Sequence, residues 1–342
     1  MTAAPDDAAL PWLAAPAHEI ALRQRGHALL LQGHAGAGVF ELALRVARTW
    51  LCETEGADAP CGRCTACHLL ASNSHPDFRA LLPEQAQVDL GWSVGGAETV
   101  DVDGDGKAKK KPSKEIKIEQ VRDAIGWTQK SSSRGRAKVL LLFPADAMNL
   151  VASNALLKTL EEPPQGVRLL LVAEDAERLL PTLRSRCQRI LFDGPTPEQA
   201  LEWLGGQGVA NAPVLLAAAG GHPLAAQRLA ADGFDAAAWL ALPRRIADGK
   251  WEPPAGATVP RLREVLQKLC HDAMAVAAGA APRYFPASSL PPAAAWPKLA
   301  DWSQSLARLA RHDEHPFNAP LITDSLLAEA KAVWAKPRGR AA

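Results

Sequence analysis

Two short stretches of this sequence carry side chains whose types and spacing could do chemistry. Cys61-Gly-Arg-Cys64-Thr-Ala-Cys67 separates three thiols by two residues each, and Cys52 lies nine positions upstream. Four thiolates within sixteen residues suit tetrahedral zinc, whose sulfur ligands must converge to ~2.3 Å from short loops. The same thiolates would serve an iron–sulfur cluster. A redox pair fits less well, because the flanks lack a thioredoxin-like strand. His68 adjoins Cys67, but with four thiolates present it reads as a surface or packing residue.

The second stretch is Gly33-His34-Ala35-Gly36-Ala37-Gly38-Val39-Phe40. It follows an apolar run and opens a helical pattern, which is the setting a phosphate-binding loop requires. A working loop continues from its last glycine into Lys, which holds the β- and γ-phosphates, and then Ser or Thr, which ligates Mg²⁺. Here those places hold Val39 and Phe40. A nest of backbone amides would still attract an anion, but counter-charge and metal ligand are both missing. A later apolar strand, residues 139–142, should end in acidic residues if it served the same magnesium ion. It runs instead into Phe143-Pro144, with Asp146 beyond the strand end. A tight strand-to-helix turn needs glycine whatever its function. Two degraded motifs in the right order, however, point to a nucleotide-binding scaffold that has kept its shape and lost its chemistry, so ATP hydrolysis is not expected.

The elements that must hold these stretches alternate along the chain. Strands are expected at 28–32, 77–82, 138–143, 167–173 and 188–192, with helices after Gly38 and at 118–128 and 149–160. Strands separated by helix-length segments imply an α/β architecture, a mostly parallel sheet covered on both faces. Residues 87–115 break into Gly, Asp and Lys, with Lys107, Lys109, Lys110, Lys111 and Lys114 close together. A lysine run without interleaved aromatic residues reads as a solvated, mobile insertion and not as a phosphate contact. Thr196-Pro-Glu-Gln199 offers an N-cap, a first-turn proline and a capping-box Gln, so a helical module begins there. A Pro- and Gly-bearing linker at 249–260 leads to an Ala- and Leu-rich helical bundle.

Composition narrows the function classes. At 342 residues the chain exceeds one core and should divide into two or three domains, of which three are expected. Hydrophobic residues at 48% and charged residues at 22% fit an ordinary globular protein. Lys plus Arg number 38 against 37 for Asp plus Glu, which argues against a free-standing nucleic-acid binder that neutralises phosphates over a basic surface. No secretory n-region opens the sequence and no apolar run approaches ~18 residues, so a cytoplasmic location without membrane contact is expected.

Longer motifs carry a resemblance. Asn154-Ala-Leu-Leu-Lys-Thr-Leu-Glu-Glu-Pro-Pro164 and Leu183-Arg-Ser-Arg-Cys187 closely resemble the AAA+ subunits of the bacterial DNA polymerase III clamp loader. So do residues 27–30, the four-cysteine insertion, Ser74-His-Pro-Asp-Phe78, residues 118–122 and Ala145-Asp146, covering most of 20–192. Gly220-Gly-His-Pro223 resembles the lid region and Phe317-Asn-Ala-Pro-Leu321 the C-terminal bundle. The gamma and tau members keep the Lys and Thr of the loop, and place a phosphate-sensing Arg where this sequence has Leu224. This chain therefore resembles the delta-prime branch of the family.

The resemblance implies an AAA+-type domain at 1–193 with a four-cysteine zinc module at 52–67 and the insertion near 87–115. A helical lid domain at 194–248 and a helical collar domain at 249–342 follow. It implies a non-hydrolysing subunit of the DNA-directed DNA polymerase (a nucleotidyltransferase) holoenzyme, helping to load the sliding clamp onto primed DNA. Its partners would be gamma/tau-type and delta-type subunits in a five-membered ring. Structural zinc would sit on Cys52, Cys61, Cys64 and Cys67, while Gly33, Gly36, Gly38, Val39 and Phe40 form a phosphate loop without function. Arg186, with Ser185 beside it, would act as an arginine finger in a neighbour's ATP site. From position alone Arg186 reads as a strand-end residue paired with an acidic group, and only the motif favours the finger. Cys187 reads as a small buried residue. An ATP-hydrolysing gamma/tau-like subunit and a stand-alone zinc-dependent nucleic-acid binder are the other readings.

Overall fold

The computed structural model describes residues 10–23, 26–90, 112–254, 256–310 and 318–335. The expected insertion at 87–115 lies mostly outside them, as does Phe317. The chain divides into two compact units, Met1–Gln199 and Ala200–Ala342. Among the described residues no helix is long and apolar enough to cross a membrane.

The first unit is built on five parallel strands: β1 (Ala28–Gln32), β2 (Phe78–Leu81), β3 (Lys138–Leu142), β4 (Val167–Ala173) and β5 (Gln188–Leu191). Their order across the sheet is β2-β3-β4-β1-β5. Strands β1, β3 and β4 read as unbroken Leu and Val runs because helices cover both faces of a parallel sheet, and Leu29, Leu30, Leu140, Leu141 and Leu170 have no exposed surface. Register follows the apolar match, with Leu30 opposite Leu171 and Leu140 opposite Leu169.

Among the described residues, the helices wholly within this unit are α1 (Ala14–Arg23), α2 (Val39–Leu51), α3 (Thr65–Ala71), α4 (Glu84–Leu90), α5 (Ile118–Thr128), α6 (Leu150–Glu161) and α7 (Pro181–Arg184). Helix α2 is the most buried, with Val39, Leu42, Ala43 and Val46 against the sheet. Asn149 caps α6, its Oδ1 accepting the Ala152 amide at 3.0 Å, which moves the expected helix start one residue on. Gln87 falls within α4, so the regular chain runs three residues past the expected start of the insertion.

Helix α8 (Pro197–Gly206) carries the expected capping box: the Thr196 amide donates to Gln199 Oε1 at 3.0 Å, and the Gln199 amide to Thr196 Oγ1 at 3.3 Å. The second unit continues with α9 (Ala212–Ala218), α10 (Pro223–Ala231), α11 (Ala236–Ala247), α12 (Val259–Ala277), α13 (Trp296–Ala310) and α14 (Ala319–Trp334). One apolar cluster joins α9 and α11 to α12, α13 and α14 through Ala218, Trp239, Leu242, Leu266, Trp302 and Leu326. Residues on the two sides of position 248, expected in separate lid and collar domains, thus share a core. Asp272 anchors this unit. Its fully buried carboxylate accepts the amides of Arg283, Tyr284 and Phe285 at 2.7–2.8 Å, which satisfies a charge that burial alone would make costly.

Candidate functional site

The carboxyl ends of β1, β4 and β3 lie side by side, the place where parallel sheets bind ligands. The glycine loop leaves β1 here. Gly33 packs so closely that a Cβ would stand 2.8 Å from the Phe192 carbonyl, and Gly38 turns into α2 with φ +97°, a conformation natural only to glycine. Between them a single 3₁₀ turn, Ala35–Ala37, draws the loop in on itself.

Five of the loop's amides are already occupied. Gly33 donates to the Ala173 carbonyl (3.2 Å), Ala37 to the His34 carbonyl (2.9 Å) and Gly38 to the Ala35 carbonyl (3.0 Å). Gly36 donates to Nδ1 of His34 at 3.0 Å, and Ala35 donates to Oε1 of Glu174, just past β4, at 2.6 Å. A carboxylate of the chain itself thus takes an amide that a phosphate would need. Val39 has no exposed surface and Phe40 has 2%. The Phe40 ring meets that of Phe143 at the end of β3, with centroids 4.6 Å apart. A Mg²⁺ hydroxyl ligand and an acidic residue would occupy these two positions in a working loop. Two packed phenyl rings stand there instead. The Trp12 indole donates to the Ala37 carbonyl at 3.0 Å, and Leu10 and Leu13 lie within 3.7 Å of the space beside Gly38. Asp146 follows Phe143 in a turn, and burial pushes its carboxyl above the usual carboxylate range while Arg178, 3.6 Å away, opposes the shift.

The four thiols of the cysteine cluster converge, with all Sγ atoms within 4.8 Å of one another. Cys52 ends α2 and Cys64 caps α3. The Cys52 and Cys64 sulfurs are 3.9 Å apart and those of Cys67 and Cys52 are 3.8 Å apart, close to the ~3.8 Å edge of a tetrahedron of thiolates around zinc. Amides also point at the sulfurs, Cys61 N at Cys52 Sγ and Cys67 N at Cys64 Sγ, both at 3.4 Å, which stabilises thiolate charge. The Thr54 hydroxyl and then the Arg63 amide pull the Cys61 thiol down to about 5, whereas burial pushes Cys67 up. The donor set fits a tetrahedral metal ion such as zinc. His68 is exposed and outside the group.

A strut joins this module to the sheet. Glu53 pairs with Arg134, and the Arg136 guanidinium reaches the Glu53 carbonyl at 3.1 Å and Glu55 at 3.2 Å. Arg134 is held in turn by Asp77, fully buried, whose carboxylate accepts the Ser133 and Arg134 amides at 2.8–3.0 Å.

Arg186 lies between α7 and β5 with about a third of its side chain exposed. Its Nη2 meets Glu161 at the end of α6 at 2.5 Å, and Nη1 donates to the Thr182 carbonyl at 2.9 Å and to Ser185 Oγ at 3.4 Å. The guanidinium is therefore oriented by two helices. Cys187, packed beneath, has its thiol pushed up to about 12 by burial, which makes it a packing residue and not a nucleophile.

The sequence pattern of the family described as "DNA polymerase III, delta subunit" matches residues 15–196. The chain belongs to that family. A DNA polymerase III subunit delta' from Pseudomonas aeruginosa is 39% identical over 229 residues, which cover 65% of this chain and 62% of the relative's length. The subunit delta' of Escherichia coli K12 is 33% identical over 252 residues, or 70% of this chain and 67% of the relative. The alignment with the Pseudomonas relative thus spans less than two thirds of that protein. A solved gamma subunit-related protein from Thermotoga maritima overlaps 94% of this chain, at 15% identity and a TM-score of 0.46, too distant to add weight.

Seen as a member of the delta-prime family, the chain has three separate features and not one composite pocket. The structure gathers Cys52, Cys61, Cys64 and Cys67 into one cluster and closes Gly33–Phe40 into a turn. It also seats Ser185 and Arg186 together at the start of β5. Sequence reading missed Glu174, Glu161 and Asp77 as partners. Asp77 and Glu161 lie inside the family motifs quoted above, so the signal was present without its meaning, whereas Glu174 is an ordinary acid after a strand.

Proposed function

We propose that this chain is a non-hydrolysing subunit of a bacterial replicative clamp loader, and that Arg186 serves a nucleotide bound by a neighbouring gamma-type subunit. In this reading the chain stands in a five-membered ring with gamma/tau-type and delta-type subunits. It helps place the sliding clamp on primed DNA and meets DNA only through the assembly. One observation carries the loss of hydrolysis: the Phe40 and Phe143 rings pack together, tilted by 34°, where the magnesium ligands of an active site would lie. Membership of the delta-prime family supports the assembly. Zinc on the four thiols is structural, because four protein ligands leave no open position for a water or substrate.

The partly exposed setting of Arg186 supports the finger. A guanidinium at the surface and oriented by its own chain is able to neutralise charge on a phosphoryl group supplied from outside. The purified chain should show no ATP turnover above background. Mixed with gamma- and delta-type subunits from the same organism it should co-elute as one complex that loads clamps on primed DNA. Turnover by the isolated chain, or failure to enter that complex, would refute the reading.

A further inference from the structure

The short bond between Glu174 and the Ala35 amide has a chemical role of its own. A glycine loop at the mouth of a parallel sheet attracts anions through its backbone amides alone, even without a lysine. Loss of the lysine would weaken that attraction without abolishing it. In this chain five of the loop's amides are met internally. Glu174 Oε1 lies 2.6 Å from the Ala35 amide and 3.9 Å from Nδ1 of His34, and the amides of Gly33, Gly36, Ala37 and Gly38 donate to acceptors of the loop and of β4.

We infer that Glu174 is an internal anion, a specificity-determining residue that excludes phosphate, pyrophosphate and nucleoside polyphosphates from the glycine loop. It excludes them in two ways. Its oxygen occupies an amide that an incoming phosphate would use, and its negative charge stands at the mouth of the loop, where a second anion would be repelled. The side chain is about half exposed, so it holds its place by this bond and not by burial. Removing it therefore leaves the core behind it untouched. The inference rests on the reading that the loop has no catalytic role, and it adds that the loop's silence toward anions is enforced by one residue and not only by the missing lysine.

The test is a titration of the full chain with pyrophosphate, and separately with ATP, followed by the amide resonances of Ala35 and Gly36. In the wild-type protein those resonances should stay put. Asp123→Ala, which removes an exposed negative charge elsewhere on the same unit, should behave as wild type. Glu174→Ala should shift both resonances saturably, with an affinity at least about tenfold above wild type, as expected when one charge-assisted hydrogen bond is freed. Glu174→Gln keeps an acceptor for the Ala35 amide while dropping the charge, so it should fall between the two, and it serves as the test if alanine disturbs the loop. Saturable binding at these amides in the wild-type protein would overturn the inference. So would Glu174 variants that titrate like wild type. ATP turnover is measured separately: a variant that fails to gain binding while no form hydrolyses ATP removes the anion role of Glu174 and leaves the proposed function standing.

Discussion

Arg186 shows how little one residue's position says without its partners. It sits beside a strand end with Glu161 2.5 Å away, an arrangement equally suited to a surface ion pair and to a group held ready for an external phosphate. Exposed pairs of this kind contribute about 0–1 kcal/mol, so the pairing alone would not justify orienting the side chain from two helices. Arg186→Ala should accordingly leave folding, metal content and complex assembly unchanged. Hydrolysis at the adjoining site should fall by ~10³ or more, the usual worth of an arginine finger. Because other sites in a ring keep their own fingers, total ATPase would drop only in part, and clamp loading at limiting ATP is the sensitive measurement. Arg186→Lys should rescue poorly, since an ammonium cannot reproduce the planar fork. Loading at the wild-type rate by a fully assembled Arg186→Ala complex would make Arg186 a structural residue.

At the scale of elements, the cysteine module is a loop and a short helix that cannot bury a core of their own. Among the described residues its cluster holds Cys52, Ala59 and Cys67 as buried apolar groups. In the proposed reading metal supplies what packing does not, and for small zinc modules the apparent binding energy is ~10 to 16 kcal/mol. Cys64→Ser should release the metal, expose the remaining thiols to alkylating reagents and loosen residues 52–72. Strands β1, β3 and β4 pack independently and should keep their hydrogen-exchange protection. Elemental analysis that finds no zinc or other metal in freshly purified wild-type protein, with all four thiols titratable, would end this reading. The module was legible from sequence because its ligands are close together in the chain. Its docking was not: Arg134 meets Glu53 across 81 positions and Asp77 holds Arg134 across 57, and no periodicity announces a pair of that separation. The same contrast holds for the secondary structure. Buried strands such as Val-Leu-Leu-Leu in β3 declare themselves by composition, whereas α7 is a four-residue turn opened by Pro181 that no period of 3.6 reveals.

For the whole molecule, the departures from a working phosphate loop are spread over several elements, and Val39, Phe40 and Phe143 are buried parts of the core. The order of motifs made the α/β scaffold readable, since the glycine loop, strand β3 and Ser-Arg-Cys follow one another as the sheet requires. What residues 39, 40 and 143 do structurally was not readable, because a missing ligand looks the same in sequence whether its position is empty, exposed or filled. They fill it. Val39 and Phe40 are buried and the Phe143 ring packs against that of Phe40, so restoring the loop motif would cost stability before it could restore function. Val39→Lys with Phe40→Thr replaces two core side chains, opens a cavity beside Phe143 and forces an ammonium either into apolar surroundings or out through the loop. Truncating a buried Phe alone costs about 3–5 kcal/mol, and in a unit of this size each kcal/mol lowers the thermal midpoint by roughly 2–4 °C. The double variant should therefore melt roughly 10 °C or more below wild type and still show no ATP turnover. Phe143 and Pro144 continue to lack a metal-binding carboxylate, and Glu174 still holds the Ala35 amide. Calorimetry and a steady-state ATPase assay on the same preparation decide the matter. A double variant as stable as wild type would show that Val39 and Phe40 are not core residues, and turnover by it would show that the remaining losses are not decisive.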